Sequence, residues 1–224
     1  MNFALIKAIF LKDILNQYRS KETFNSVIFF SLLVITIGSF ALEPGSQASI
    51  EIASGILWIS YVFSSVIILN HSFLIEKEED VIQGLIIIPN NNINIFLGKY
   101  LTNFVYTLFI EIIILASFII LFNISIKKDI LILLVYIVLV DIGFVCIGSL
   151  FASMLINSKV REMLLPILLF PIIIPLIIGA VKSTTFILHG TSFKYYFPYL
   201  MLIILFDVVY LISSIILSDY ALGD

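Results

Sequence analysis

The sequence predicts an all-α, polytopic membrane protein with about six transmembrane helices, and three observations carry that prediction. Hydrophobic residues make up 61% of the chain and charged residues 12%, with a mean hydropathy of +1.18, which leaves too little polar surface to clothe a water-soluble core. Apolar windows of about twenty residues, the length a helix needs to cross the hydrocarbon of a bilayer, recur along the chain. Charge gathers between these windows, and its densest run is Glu76, Lys77, Glu78, Glu79 and Asp80. The net charge of -3 with scattered basic residues gives no nucleic-acid footprint. The single cysteine, Cys146, excludes an intrachain disulfide and a cysteine-rich metal site.

Taken in order, residues 1–21 read as an N-terminal interfacial helix. Phe10, Leu11, Ile14, Leu15 and Tyr18 share one helical face, Lys12, Asp13, Asn16 and Gln17 fall away from it, and Ile6 and Ile9 project toward the polar side. The apolar run that follows is too long, and lacks the small-residue exit, for a cleaved signal peptide, so the first span is expected to stay in the protein. Spans are expected near residues 24–42, 50–73, 93–122, 130–156, 163–181 and 196–217, all within a single membrane domain covering residues 1–224. The third and fourth are long enough to tilt. An even number of spans puts both termini on one side. Lys7, Lys12, Arg19, Lys21, Lys77, Lys99, Lys159 and Arg161 collect there, against Lys127, Lys128, Lys182 and Lys194 opposite, which makes the terminal side cytoplasmic. Ser46 and Thr184 then face outward.

Polar residues inside the spans are few. Glu111, Asp141 and Asp207 lie within apolar runs, where a carboxylate costs about 2.5 to 3.5 kcal/mol on insertion scales, so each faces protein or water or carries a proton. Lysine and arginine are not placed to pair with them, and the three serve either as pathway residues or as acids packed between helices. Pro166, Pro171 and Pro175 fall in the fifth span, which is expected to kink or open unless neighbours satisfy the freed carbonyls. Gly148 and Ala152, four apart, permit close helix approach. His71 ends the second span and His189 lies in an outer loop; each is alone, as expected of interfacial histidines rather than haem or metal ligands.

Residues 73–89, FLIEKEEDVIQGLIIIP, join a charged run to an apolar one at helical spacing (Val81, Ile82, Leu85, Ile86) and end at Pro89. This is the pattern of a short amphipathic helix at the membrane surface, and such a helix can dock a partner. A plain solvated turn between two spans is the competing reading. No phosphate-binding glycine loop occurs, since Gly98-Lys99 lacks the upstream glycine and is followed by Tyr100 rather than serine or threonine. Neither G-x-S-x-G nor H-E-x-x-H is present. Nucleotide hydrolysis and soluble-type catalysis by this chain are therefore not expected.

The runs NSVIFFSLLVITIGSF (25–40), GILWISYVFSSVIILNHSF (55–73) and FPIIIPLIIGA (170–180) resemble the corresponding stretches of the CcmB family, the haem exporter membrane subunits of cytochrome c maturation, which is grouped with the ABC-2 type permeases. Trp58, Ser64, Ser65, Phe73, Leu85, Pro89, Pro171 and Pro175 fall where that family has the same residue. The resemblance implies an ABC-2 type permease fold and makes residues 73–89 a cytoplasmic coupling helix that enters a groove in a separate ATPase, with Phe73, Glu76, Glu79, Asp80, Ile82, Leu85 and Pro89 as its docking residues. Asp80, where the family has glycine, and Gln83, where it has an acid, depart from the pattern. Also implied are a homodimer in an inner membrane, a CcmA-like ATPase, CcmC-like and CcmD-like membrane subunits, and a CcmE-like haem chaperone. Haem enters as substrate rather than as a resident cofactor.

On this reading the chain couples ATPase strokes either to haem export or to release of a haem-loaded chaperone. Without His, Met or Tyr ligands clustered along a span, release is favoured over a haem conduit. An ion-coupled secondary transporter built on Glu111, Asp141 and Asp207 is the alternative. It requires the acids to converge and the two halves of the chain to be related as inverted repeats.

Overall fold

The computed structural model describes residues 2–42, 47–78, 92–124, 130–156 and 158–221. They form seven helices: α1 (Phe3–Arg19), α2 (Lys21–Ala41), α3 (Gln47–Glu78), α4 (Asn92–Leu121), α5 (Ile130–Met154), α6 (Arg161–Leu188) and α7 (Phe193–Ala221). Six of them, α2 to α7, contain windows long and apolar enough to span a bilayer. The described chain is thus all-α and polytopic, as composition predicted. The fifth span is longer than expected at both ends, because the polar residues flanking 163–181 continue the helix.

Cross-helix contacts fix the order of the bundle. At one end Asn2 donates its amide to Asn94 Oδ1, Ser20 bonds His71 Nε2, and Arg161 donates to the carbonyl of Asn70. At the far end Trp58 Nε1 donates to Thr184 Oγ1 at 2.9 Å, and the Tyr136 hydroxyl donates to the Tyr196 carbonyl at 3.2 Å. These contacts make neighbours in sequence antiparallel from α2 to α7. They also gather the ends of α3 and α5 with the starts of α4 and α6 beside α1. The far-end turn after α6 closes when Gly190, at φ +65, and Thr191 direct their amides to the carbonyls of Ile187 and Phe186. This is a left-handed cap that glycine adopts without steric cost.

Lipid removes much of the hydrophobic drive for helix association, so packing depends on close approach and on internal hydrogen bonds. Both are visible here. A side chain at Gly148 would strike Leu69 of α3, and Ala152 on the same face of α5 is buried, so the small-residue pair does admit a neighbouring helix. Trp58, Tyr61 and Phe144 stack edge to face, with centroids 5.6 and 5.2 Å apart, between α3 and α5. These two helices form the buried centre, and α2 and α7 lie at the periphery.

The α1 helix packs on the bundle through its polar side. Its buried residues are Ile6, Ile9, Asp13 and Gln17, while Leu11, Leu15 and Tyr18 are exposed. The apolar stripe faces outward, and Asp13 and Gln17 of the polar side turn inward against α4. Partners on α4 hold these two side chains: Lys99 Nζ lies 3.4 Å from Asp13 Oδ2, and Gln17 Nε2 donates to Asn103 Oδ1 at 3.2 Å. Gly98 makes the approach possible, since a Cβ there would stand 2.9 Å from Ile9.

The three prolines of α6 do not divide it, and the helix runs unbroken from Arg161 to Leu188. A proline cannot bond the carbonyl four residues earlier, so the carbonyls of Glu162, Ile167 and Pro171 lose their usual helical amide. Phe170 beside these prolines packs on Phe63 at 5.5 Å between centroids.

Candidate functional site

Four residues of α4 recur at every fourth position, Lys99, Asn103, Thr107 and Glu111, and therefore share one face of the helix. All four are buried. In a segment otherwise rich in Ile, Leu and Phe, such a stripe requires polar partners on the facing helices. Near α1, Lys99 meets Asp13 and also stands 4.5 Å over the ring of Phe73. One turn deeper, Asn103 accepts from Gln17 and donates Nδ2 to Ser149 Oγ at 3.1 Å. A further turn in, Thr107 Oγ1 lies 2.8 Å from Asp141 Oδ1, which also accepts from the Tyr61 hydroxyl at 2.6 Å.

Glu111 stands at the inner end of this column, 1% exposed, and neither carboxyl oxygen has a hydrogen-bond partner; Oδ2 of Asp141 has none either. The structure thus brings two of the three predicted acids together on α4 and α5, with Tyr61 of α3 beside them. Asp207 sits elsewhere, on α7, filling the space left by Gly143 on α5. The convergence required of a three-acid relay is met by Glu111 and Asp141 only. Lys99 lies on the same face three turns from Glu111, and its ion pair is made with Asp13.

Of the predicted docking residues, Phe73 is buried and forms a platform: Lys99 lies over its ring, as does Arg161, with the guanidinium carbon 5.9 Å from the centroid. Glu76 falls in the last turns of α3, which runs on to Glu78 beyond the apolar span. Glu79, Asp80, Ile82, Leu85 and Pro89 lie outside the described residues. Pro171 and Pro175 lie on α6 with exposed side chains, apart from an apolar cavity of about 390 Å³ that Trp58, Phe63, Phe170 and Ile173 help to line. His71 borders a second cavity of about 270 Å³ with Ile67, Asn70 and Glu162, while His189 caps α6 at the opposite end of the bundle.

Sequence reading missed Tyr61, Asn103, Thr107, Asp13 and Gln17 as members of one network. The fourfold spacing along α4 was the available signal, since it predicts a single polar face inside an apolar run. Which residues of other helices meet that face depends on packing.

A family model described as CcmB protein matches residues 4–223, almost the whole chain. No curated protein matches it.

Proposed function

Because the chain belongs to the CcmB family, whose members are membrane subunits of the cytochrome c maturation haem export system, we propose that it serves there as the permease moved by a separate ATPase. The match over residues 4–223 is the observation that carries this reading. Residues 73–89 act as the coupling segment. The helical continuity of α3 from its span through Glu78 supports this role, because a rigid rod leaving the bilayer transmits displacement better than a loop. The segment and both termini face the cytoplasm, and two copies of the chain assemble with a CcmA-like ATPase, CcmC-like and CcmD-like membrane subunits and, indirectly, a CcmE-like chaperone.

Within this system the subunit uses ATPase strokes to release the haem-loaded chaperone. The placement of the two histidines supports release over passage of haem through the bundle: His71 and His189 lie at opposite ends, too far apart to hold one iron between them.

The docking segment gives the test. Apolar residues at an interface core supply most of its affinity, and charges at the rim set orientation and association rate. Ile82→Ser with Leu85→Ser should release the ATPase from the purified complex even at low salt. Glu76→Lys with Glu79→Lys should weaken copurification to an extent that varies with salt, since exposed charge pairs are screened. Full retention of an active ATPase by both variants would make residues 73–89 a plain connection and remove the coupling role.

A further inference from the structure

The polar column ends at a place where acceptors outnumber hydrogens. Asp141 Oδ1 receives the Tyr61 hydroxyl and contacts Thr107 Oγ1, while Asp141 Oδ2 and both oxygens of Glu111 are buried without a donor. Thr107 has one hydrogen for three nearby acceptors, Asp141 and the carbonyls of Asn103 and Phe104. Two hydroxyl hydrogens therefore face a group of oxygens that lacks at least one more. Glu111 and Thr107 are one turn apart on α4, and a helical side chain leans back over the preceding turn, which directs the Glu111 carboxyl toward the turn held by Asp141. Glu111 and Asp141 are close enough to interact electrostatically.

From this geometry we propose that Glu111 and Asp141 form an electrostatically coupled carboxyl pair that binds one proton, held on Glu111 beside an ionised Asp141. The allocation follows from the donors. Tyr61 and Thr107 stabilise negative charge on Asp141, whereas Glu111 has no donor and would be an uncompensated buried ion if it lost its hydrogen. One hydrogen held by Glu111 leaves the pair a single negative charge, on Asp141, that the two hydroxyls solvate. The other ionisable groups around the pair are Tyr61 on α3 and Tyr100 on α4; Tyr100 also faces Cys146 of α5 and Asp207 of α7. Lys99 is three turns distant along α4, against Asp13 of α1. The site holds its proton where α3, α4 and α5 meet, so sliding of α3 that breaks the Tyr61 bond would change how tightly the proton is held.

Infrared spectroscopy of the full-length protein in phospholipid nanodiscs, with carboxyl-labelled glutamate or aspartate, tests the assignment. At neutral pH a protonated-carboxyl stretch should shift with labelled glutamate and not with labelled aspartate, should persist when sodium is replaced by choline, and should vanish in Glu111→Gln. Asp141→Asn should shift its frequency, because the neighbouring negative charge is gone. Dicyclohexylcarbodiimide, which modifies protonated buried carboxyls, should leave its adduct on Glu111 of the wild-type protein, a readout that needs no variant. Absence of a protonated glutamate at neutral pH, an aspartate-labelled band instead, or loss of the band on adding sodium would overturn the proposal; the last result would identify a sodium site.

Discussion

The Tyr61 hydroxyl donates to Asp141 Oδ1 at 2.6 Å, and this bond ties α3 to α5 in the middle of the bundle. Both residues are buried, and the tyrosine ring is held by edge contacts with Trp58 and Phe144. The hydroxyl brings α3 to the acid as a donor, since the Trp58 indole N–H is directed to Thr184 and Phe144 has no donor.

Tyr61→Phe should therefore lower stability by about 1 to 2 kcal/mol, the range for losing a buried hydrogen bond to a charged or membrane-embedded partner. The ring contacts are kept, so the loss reports the hydroxyl alone. Thermal unfolding of the detergent-solubilised protein should show a lower midpoint, and Tyr61→Phe combined with Asp141→Asn should lose less than the sum of the two single changes. An unchanged midpoint in Tyr61→Phe would mean that water replaces the phenol.

Close approach at Gly98 makes a second prediction. A larger residue there must displace Ile9, and overpacking of this kind costs about 1 to 3 kcal/mol. Gly98→Leu should lift α1 from α4 and break the Asp13–Lys99 and Gln17–Asn103 contacts with it. An Ile6→Cys probe, buried in the native packing, should react with a maleimide much faster in the Gly98→Leu background. Equal rates in the two backgrounds would show that α1 stays seated.

Much of this architecture is legible in the sequence, because a span needs only length and apolar character. The 50–73 window and the other span centres follow from that requirement alone. The orientation of α1 does not. Its apolar stripe is plain, but a helix at the interface has three kinds of neighbour, and only the fold shows that Asp13 and Gln17 meet Lys99 and Asn103 rather than water. Glu111, Asp141 and Asp207 stand out by residue type, yet their grouping depends on the rotation of α4, α5 and α7 about their axes. Fourfold polar spacing on α4 carries half of that information, and Tyr61, at an unremarkable position in α3, supplies the other half.

Topology can be tested with better probes than the sequence suggests. Thr184, chosen as an outward position, is at the far end but fully buried through its bond with Trp58, and Ser46 lies outside the described residues. Ser192 at the far end and Lys7 on α1 are exposed. The charge distribution predicts that α1 lies on the cytoplasmic side, so Ser192→Cys should react with an impermeant thiol reagent in intact cells and Lys7→Cys only after the membrane is opened. The opposite pattern would invert the topology and place residues 73–89 out of reach of a cytoplasmic ATPase.

Asp207 provides the last prediction, because its place is explained by shape rather than by charge. Its Oδ1 occupies the volume that a side chain at Gly143 would need, and Phe206 closes the same space at 3.0 Å. Gly143→Ala should consequently destabilise the contact between α5 and α7 by about 1 to 3 kcal/mol. Asp207→Asn has nearly the same shape and should leave both stability and cytochrome c maturation close to wild type. Asp207→Ala opens a small void, and adding Gly143→Ala should then fill it, so the double variant Gly143→Ala/Asp207→Ala should be more stable than Gly143→Ala alone. Such a negative coupling between touching residues is the mark of a steric relationship. If Asp207→Asn instead abolished maturation in a normally assembled complex while the two changes proved additive, the carboxyl of Asp207 would be acting through its charge or its proton, and the packing account of α5 against α7 would fail.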